Sequence, residues 1–209
     1  MDPAWTAALL AIASGTVSGL RPYFVVLTLG AVKALVPLDA AGPAAGVIEA
    51  IPDMLAQPWV LIVVGLLALG EVVVDKLPYL DSAWDGIHLV LRPLFGAALG
   101  YGIGVGVDEG TGVAVGAAVA GGVTAAGVSF GKTATRAVVN MLPEPVSNVL
   151  VSFGEDAAAV ILLVLSFLLL PLAAVLAVLL LVGAVMLIVR MRRKLAERRR
   201  RAAGAAGSS

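Results

Sequence analysis

The stretch from Val149 to Val189, VLVSFGEDAAAVILLVLSFLLLPLAAVLAVLLLVGAVMLIV, carries only two charged residues, Glu155 and Asp156. Its 41 residues are about twice the roughly 20 that one α-helix needs to cross a bilayer. Two membrane helices back to back, turning near Pro171, account for it. Composition points the same way. The chain is 60% hydrophobic and 13% charged, where a soluble domain has roughly 45–50% apolar and about 25% charged residues. The mean hydropathy is +1.04, and the reading is an all-α integral membrane protein.

Working outward from that stretch, six membrane elements are expected. The first runs from about Trp5 to Leu35 and is interrupted at Ser14–Pro22. The second covers Trp59–Lys76 and the third Ile87–Val107. The fourth, Gly112–Leu142, is rich in glycine and interrupted by Lys132 and Arg136; the fifth and sixth divide Val149–Val189. The first stretch begins almost at Met1 with no basic segment before it and continues past Arg21-Pro22. It therefore reads as a retained helix rather than a cleaved signal.

The net charge of zero conceals an asymmetry. Residues 190–201, RMRRKLAERRRR, hold eight of the 14 lysines and arginines. Basic residues just after a span mark the cytoplasmic side, so residues 190–209 read as a basic cytoplasmic tail beside a transmembrane domain at 1–189. Attraction to anionic headgroups is the ordinary consequence of such a tail. Nucleic-acid binding is not expected, because the segment is short and has no aromatic residue for base stacking. Six crossings put both termini inside. The loop at 37–58, the Asp108-Glu109-Gly110 turn and the Pro171 turn then lie outside, without a lysine or arginine. Had the two long elements been re-entrant hairpins, the acidic 37–58 loop would sit inside.

Short matches recur in the same order. Ala11–Gly15 resembles Ala118–Gly122, Leu69-Gly70-Glu71 resembles Phe153-Gly154-Glu155, and Leu91–Leu94 resembles Leu169–Leu172. They predict two inverted three-helix repeats, 5–107 and 112–189, each with a broken first helix, an architecture many transporters share. A competing match, Leu20–Phe24 with Leu91–Phe95, pairs the segments differently.

Ionisable side chains inside a membrane are costly and face a partner, water or the bundle interior. The candidate substrate or ion site comprises Arg21, Glu71, Asp75, Arg92, Lys132, Arg136, Glu155 and Asp156. Glu71 lies about 12 residues into its helix, roughly 18 Å at 1.5 Å per residue, at or beyond the midplane. The same residues would serve equally as a structural ion-pair network. Gly15, Gly19, Pro22, Gly121 and Gly122 are the candidate backbone breaks, since irregular backbone at membrane depth survives only where protein or a wet cavity satisfies it. Close helix packing through small residues is the competing account.

The Gly19–Tyr23 stretch, the run Glu71…Asp75-Lys76-Leu77-Pro78…Asp81-Ser82…Trp84-Asp85, Arg92-Pro93, Lys132…Arg136 and Pro143-Glu144-Pro145…Ser147-Asn148…Ser152…Glu155-Asp156 together resemble the domain-of-unknown-function 4126 family of small bacterial membrane proteins. The resemblance implies a multi-pass protein of the bacterial inner membrane. It assigns no activity and no residue role.

Cysteine is absent and His88 is the one histidine. No metal site, cofactor or nucleophile–histidine pair is expected, and the chain does not read as an enzyme. A small-solute or lipid transporter of flippase type is the first expectation. A non-transporting scaffold or lipid-binding protein with structural charges is the second. Expected partners are membrane lipids, a small-molecule or lipid substrate, and a second copy of the chain.

Overall fold

The computed structural model describes residues 1–74, 78–139 and 145–206; the side chains of 78–85, 137–139, 145–149, 194–195 and 198–206 lie outside that description. Among the described residues every regular element is helical. They are α1 (Pro3–Leu20), α2 (Pro22–Leu35), a short α3 (Ala45–Ala50), α4 (Pro58–Val74), α5 (Pro78–Gly106), α6 (Thr111–Val139), α7 (Pro145–Leu168) and α8 (Leu170–Ala206). Two 3-10 turns, Gly42–Ala44 and Asp53–Ala56, flank α3.

Among the described residues, five helices are long and apolar enough to cross a membrane: α1, α5, α6, α7 and α8. The shorter apolar helices are α2 and α4. The expected six elements therefore become seven rods, because the first element is two helices. Asp2 starts α1 by accepting the Ala4 and Trp5 amides on its side chain, at 2.9 and 3.2 Å. Arg21, with φ −142° and ψ 83°, is the single residue between α1 and α2. Pro22 opens α2 at its first position, where a proline loses no helical hydrogen bond.

That joint reverses the chain. Helix α1 runs parallel to α6, with Gly15 against Gly121 and Gly19 against Ala125. It runs antiparallel to α5, where the Ser18 hydroxyl donates to the Arg92 carbonyl at 3.0 Å. Helix α2 starts beside His88 and Phe95 of α5, through Tyr23. It ends where Lys33 Nζ donates to the Ile48 carbonyl at 3.1 Å. That loop in turn packs on the far end of α5, with Pro52 beside Gly102 and Ala50 beside Gly106. So α1 and α2 form a helical hairpin. Helix α4 returns antiparallel to α2, with Leu61 near Gly30 and Leu27 near Gly65. Helices α5 to α8 then alternate, and α8 lies parallel to α6, with Leu181 on Gly127 and Ala184 on Gly131.

The bundle thus has a loop end, holding residues 36–57, the Asp108–Gly110 turn and Leu169, and a tail end from which α8 emerges. Met1 sits at the loop end. Within the bundle Met1 and the exit of α8 thus lie at opposite ends, where both termini were expected on one side. The repeat is corrected at its first member as well. Helices α1 and α6 run the same way, whereas an inverted pair must run oppositely; α4 with α7 and α5 with α8 do run oppositely.

The glycines explain the second departure. Helix α6 is continuous through Gly121 and Gly122, and α1 is continuous through Gly15 and Gly19; of the expected breaks only Pro22 marks one. A Cβ at Gly19 would stand 2.6 Å from the Ala125 carbonyl oxygen, and one at Gly96 would overlap the Gly121 carbonyl. A Cβ at Gly122 would crowd Ala97 at 3.1 Å. These residues let α1, α5 and α6 approach backbone to backbone, the small-residue packing of membrane helices. Left-handed backbone occurs instead at Gly42, with φ 52°, and at the α5–α6 turn, where Asp108 has φ 55° and Gly110 φ 88°.

Candidate functional site

Four basic side chains converge from three parts of the fold. Arg21 projects from the α1–α2 joint, Arg92 from α5, and Lys132 and Arg136 from successive turns of α6. All four are buried, Arg92 completely. Three acids meet them. Arg21 donates through Nε and Nη2 to the same Asp156 oxygen, both at 2.8 Å, and reaches the Ser152 hydroxyl at 3.5 Å. Glu71 lies 4.0 Å from Arg92, with neither side chain more than 1% exposed. Glu155 accepts from Lys132 at 3.2 Å and Arg136 at 3.4 Å, while Lys132 also donates to the Leu20 carbonyl at 3.2 Å.

The last contact explains how the broken first element is held. The carbonyls that end α1 lose their helical partners at Arg21, and Lys132 satisfies one of them. Burial of an ammonium group is compensated here by a carboxylate and a carbonyl together.

The expected site residues therefore do assemble, apart from Asp75, which lies outside the described residues. Among the described contacts Glu155 and Asp156 belong to separate clusters. Glu155 and Asp156 are adjacent in sequence, hence about 100° apart around α7, and point to different neighbours. Glu155 closes against α6. Asp156 turns toward the α1–α2 joint and is 48% exposed.

Along the helices, Arg92 lies at the middle of α5 and Asp156 near the middle of α7, while Glu71 lies close to the described end of α4.

Asp156 opens onto a cavity of about 170 Å³ lined by Arg21, Phe24, Ala68, Glu71, Val72, Asp156, Ala159 and Val160. Helices α4 and α7 supply its two walls without their backbones meeting, and the α1–α2 joint forms the floor. Val72 and Val160 at its edge are 45% and 47% exposed. The cavity is thus a cleft open sideways, toward where lipid would lie. Sequence reasoning missed its apolar walls, since nothing marks Ala68 or Val160 among so many similar residues.

His88 packs against the start of α2. It is 1% exposed, its Nε2 lies 3.0 Å from the Tyr23 hydroxyl, and the two rings meet edge to face. Tyr23 is two residues past the break, so this contact fixes the start of α2 against α5. Among the described residues no group of histidines and acids is arranged to hold a metal ion.

Among the described residues, five helices of membrane-spanning length and composition, with charged side chains gathered between them, define a multi-pass membrane protein. More particularly, the family model described as a domain of unknown function (DUF4126) matches residues 8–190, and the chain belongs to that family. No curated protein matches it. No solved structure matches it either.

Proposed function

We propose that this protein is a transporter of flippase type that takes an amphiphile through the cleft between α4 and α7. The observation that carries the reading is that cleft: a small polar pocket inside apolar walls, open in the membrane plane. A drug-sized solute needs about 300–1,000 Å³, more than the 170 Å³ present. A headgroup needs less, and its acyl chains would stay in the bilayer.

Helix α4 is the natural moving part. Its buried residues are Val60, Val64 and Glu71 alone among those described, and it leans chiefly on α2. By contrast α1, α5 and α6 are locked together through glycine. We place the basic tail in the cytoplasm, by the positive-inside tendency, of the bacterial inner membrane that the family resemblance implies. The N-terminus then faces outward, with the acids Asp2, Asp39, Glu49, Asp53, Asp108 and Glu109 at the same end.

The test is translocation of a fluorescent phospholipid in proteoliposomes, read with a membrane-impermeant quencher. Movement faster than in empty vesicles, stopped by Ala68→Trp in the cleft and unaffected by Val119→Trp on the exposed face of α6, is the expected result. A rate equal to that of empty vesicles overturns it. The second reading, a lipid-binding scaffold whose charges are structural, draws its support from Glu155, which is closed off by two cations.

A further inference from the structure

We infer that residues 42–56 form a strap that gates the loop end of the same route. An amphiphile that has entered the cleft passes on only when the strap parts from α5 and α7. This gate rests on the transport reading and adds the element that regulates it.

Among the described residues α4 and α7 do not meet, and the cleft fills the part of the gap beside the α1–α2 joint. Farther toward the loop end, residues 42–56 bridge that gap. The Gly42–Ala44 turn packs on α7, and the Asp53–Ala56 turn packs on α2 and α4. Between the two turns, α3 inserts where α1, α2, α5 and α7 come together. A headgroup moving from Asp156 along the two walls therefore meets the strap before it reaches the loop end.

The strap is held unequally along its length. Val47, Ile48, Ala50, Ile51 and Leu55 are buried. The turn on α7 has no buried residue, and it starts at Gly42 in left-handed backbone, with φ 52°. Segments with little buried apolar surface open at low free energy, and moving elements are drawn from them. On the α2 side one lysine fixes the strap. Lys33 Nζ donates to the Ile48 and Glu49 carbonyls at 3.1 and 3.2 Å and pairs with Asp53 at 3.2 Å. These contacts use the three N–H groups of an ammonium. The strap is thus one body with α2 and α4, and its parting surfaces are α7 and α5. On α5 the surface is glycine, with Pro52 over Gly102 and the Ala50 carbonyl over Gly106. Lifting the Pro52 ring from Gly102 breaks neither a hydrogen bond nor an ion pair, and leaves no buried donor or acceptor unpaired.

A reversible lock tests the gate. The chain has no cysteine, and a Cβ at Gly102 stands 3.6 Å from that of Pro52, inside the roughly 3.5–4.5 Å between the Cβ atoms of a disulfide. The Pro52→Cys/Gly102→Cys protein is oxidised with copper phenanthroline, and the crosslinked fraction is read by mass spectrometry. In proteoliposomes with the fluorescent phospholipid and the impermeant quencher, the rate should fall to that of empty vesicles and return on reduction. Pro52→Gly, which takes the ring off its seat, should instead raise the rate several-fold. Opposite signs at one contact are what a gate produces. A cap that only stabilises the bundle gives loss of stability in Pro52→Gly with no gain in rate. A crosslinked protein that moves lipid as fast as its reduced form overturns the inference. Where the cysteine pair does not fold or crosslink, Pro52→Gly decides, and a rate at or below that of wild type overturns the inference. Wild type no faster than empty vesicles defeats the transport reading and the gate with it; wild-type movement that survives the crosslink defeats the gate alone.

Discussion

Glu155 and Asp156 are neighbours on one helix turn and live in different physical regimes. Glu155 is 10% exposed and held by two cations, with Lys132 wholly buried. Asp156 is about half exposed, has one cation on one oxygen, and borders an empty volume. The first arrangement is closed: every charge is answered by protein. The second leaves hydrogen-bonding capacity directed at a space. Burial alone would have ranked Glu155 as the functional acid, and unspent capacity ranks Asp156 first.

The comparison breaks most sharply at Glu155. Replacing it by leucine would remove a carboxylate from beside the buried Lys132 and Arg136. Removing one partner of a buried pair typically costs about 3–5 kcal/mol, because the remaining charge loses its compensation. Glu155→Leu should therefore lower the detergent melting temperature strongly and lower the yield of folded protein. The response of any surviving protein to added lipid should persist. A Glu155→Leu protein that melts like wild type would mean that the cluster is not closed as described.

A smaller effect is expected at Gly19. Its missing Cβ lets α1 lie on Ala125 and Val128 of α6, which brings the Leu20 carbonyl to Lys132 and sets Arg21 at the cleft floor. Gly19→Leu forces these helices apart. Overpacking costs about 1–3 kcal/mol, and the displacement reaches both clusters because both hang on the α1–α2 joint. The expected outcome is moderate loss of thermal stability together with a weaker response to added lipid. Loss of stability with that response intact would show that the joint is positioned independently of the α1–α6 contact.

These contrasts explain what could be read beforehand. Long apolar runs announce membrane helices at any resolution of reasoning, so the helical class and the turn near Pro171 followed from Val149–Val189. The identity of the charged residues was legible too, since ionisable groups stand out in an apolar chain. Direction was harder. Arg21-Pro22 marks a break, yet the same residues serve a kink or a reversal, and only contacts between Tyr23 and His88 and between Lys33 and Ile48 decide between them. Gly121-Gly122 likewise reads as a break or as a packing surface, because glycine both weakens a helix and permits close approach. Partner choice was out of reach. Arg21 and Asp156 are separated by 135 positions, and no local pattern says that Asp156 rather than Glu155 turns toward the joint.

The finest test of the comparison is the stability of Asp156→Asn by itself. The substitution keeps size and shape, removes the charge, and leaves the Arg21 donors an amide oxygen to meet. At a site about half open the ion pair is screened and solvated, and pairs of that kind contribute about 0–1 kcal/mol. Asp156→Asn should thus melt within a few degrees of wild type in detergent without added lipid, far from the Glu155→Leu result. Its difference should emerge when lipid is added, since wild type would be stabilised by mass action and the variant would respond more weakly. If the two substitutions destabilise equally in the absence of lipid, Asp156 is as closed and structural as its neighbour, and the cleft loses its claim to be a site.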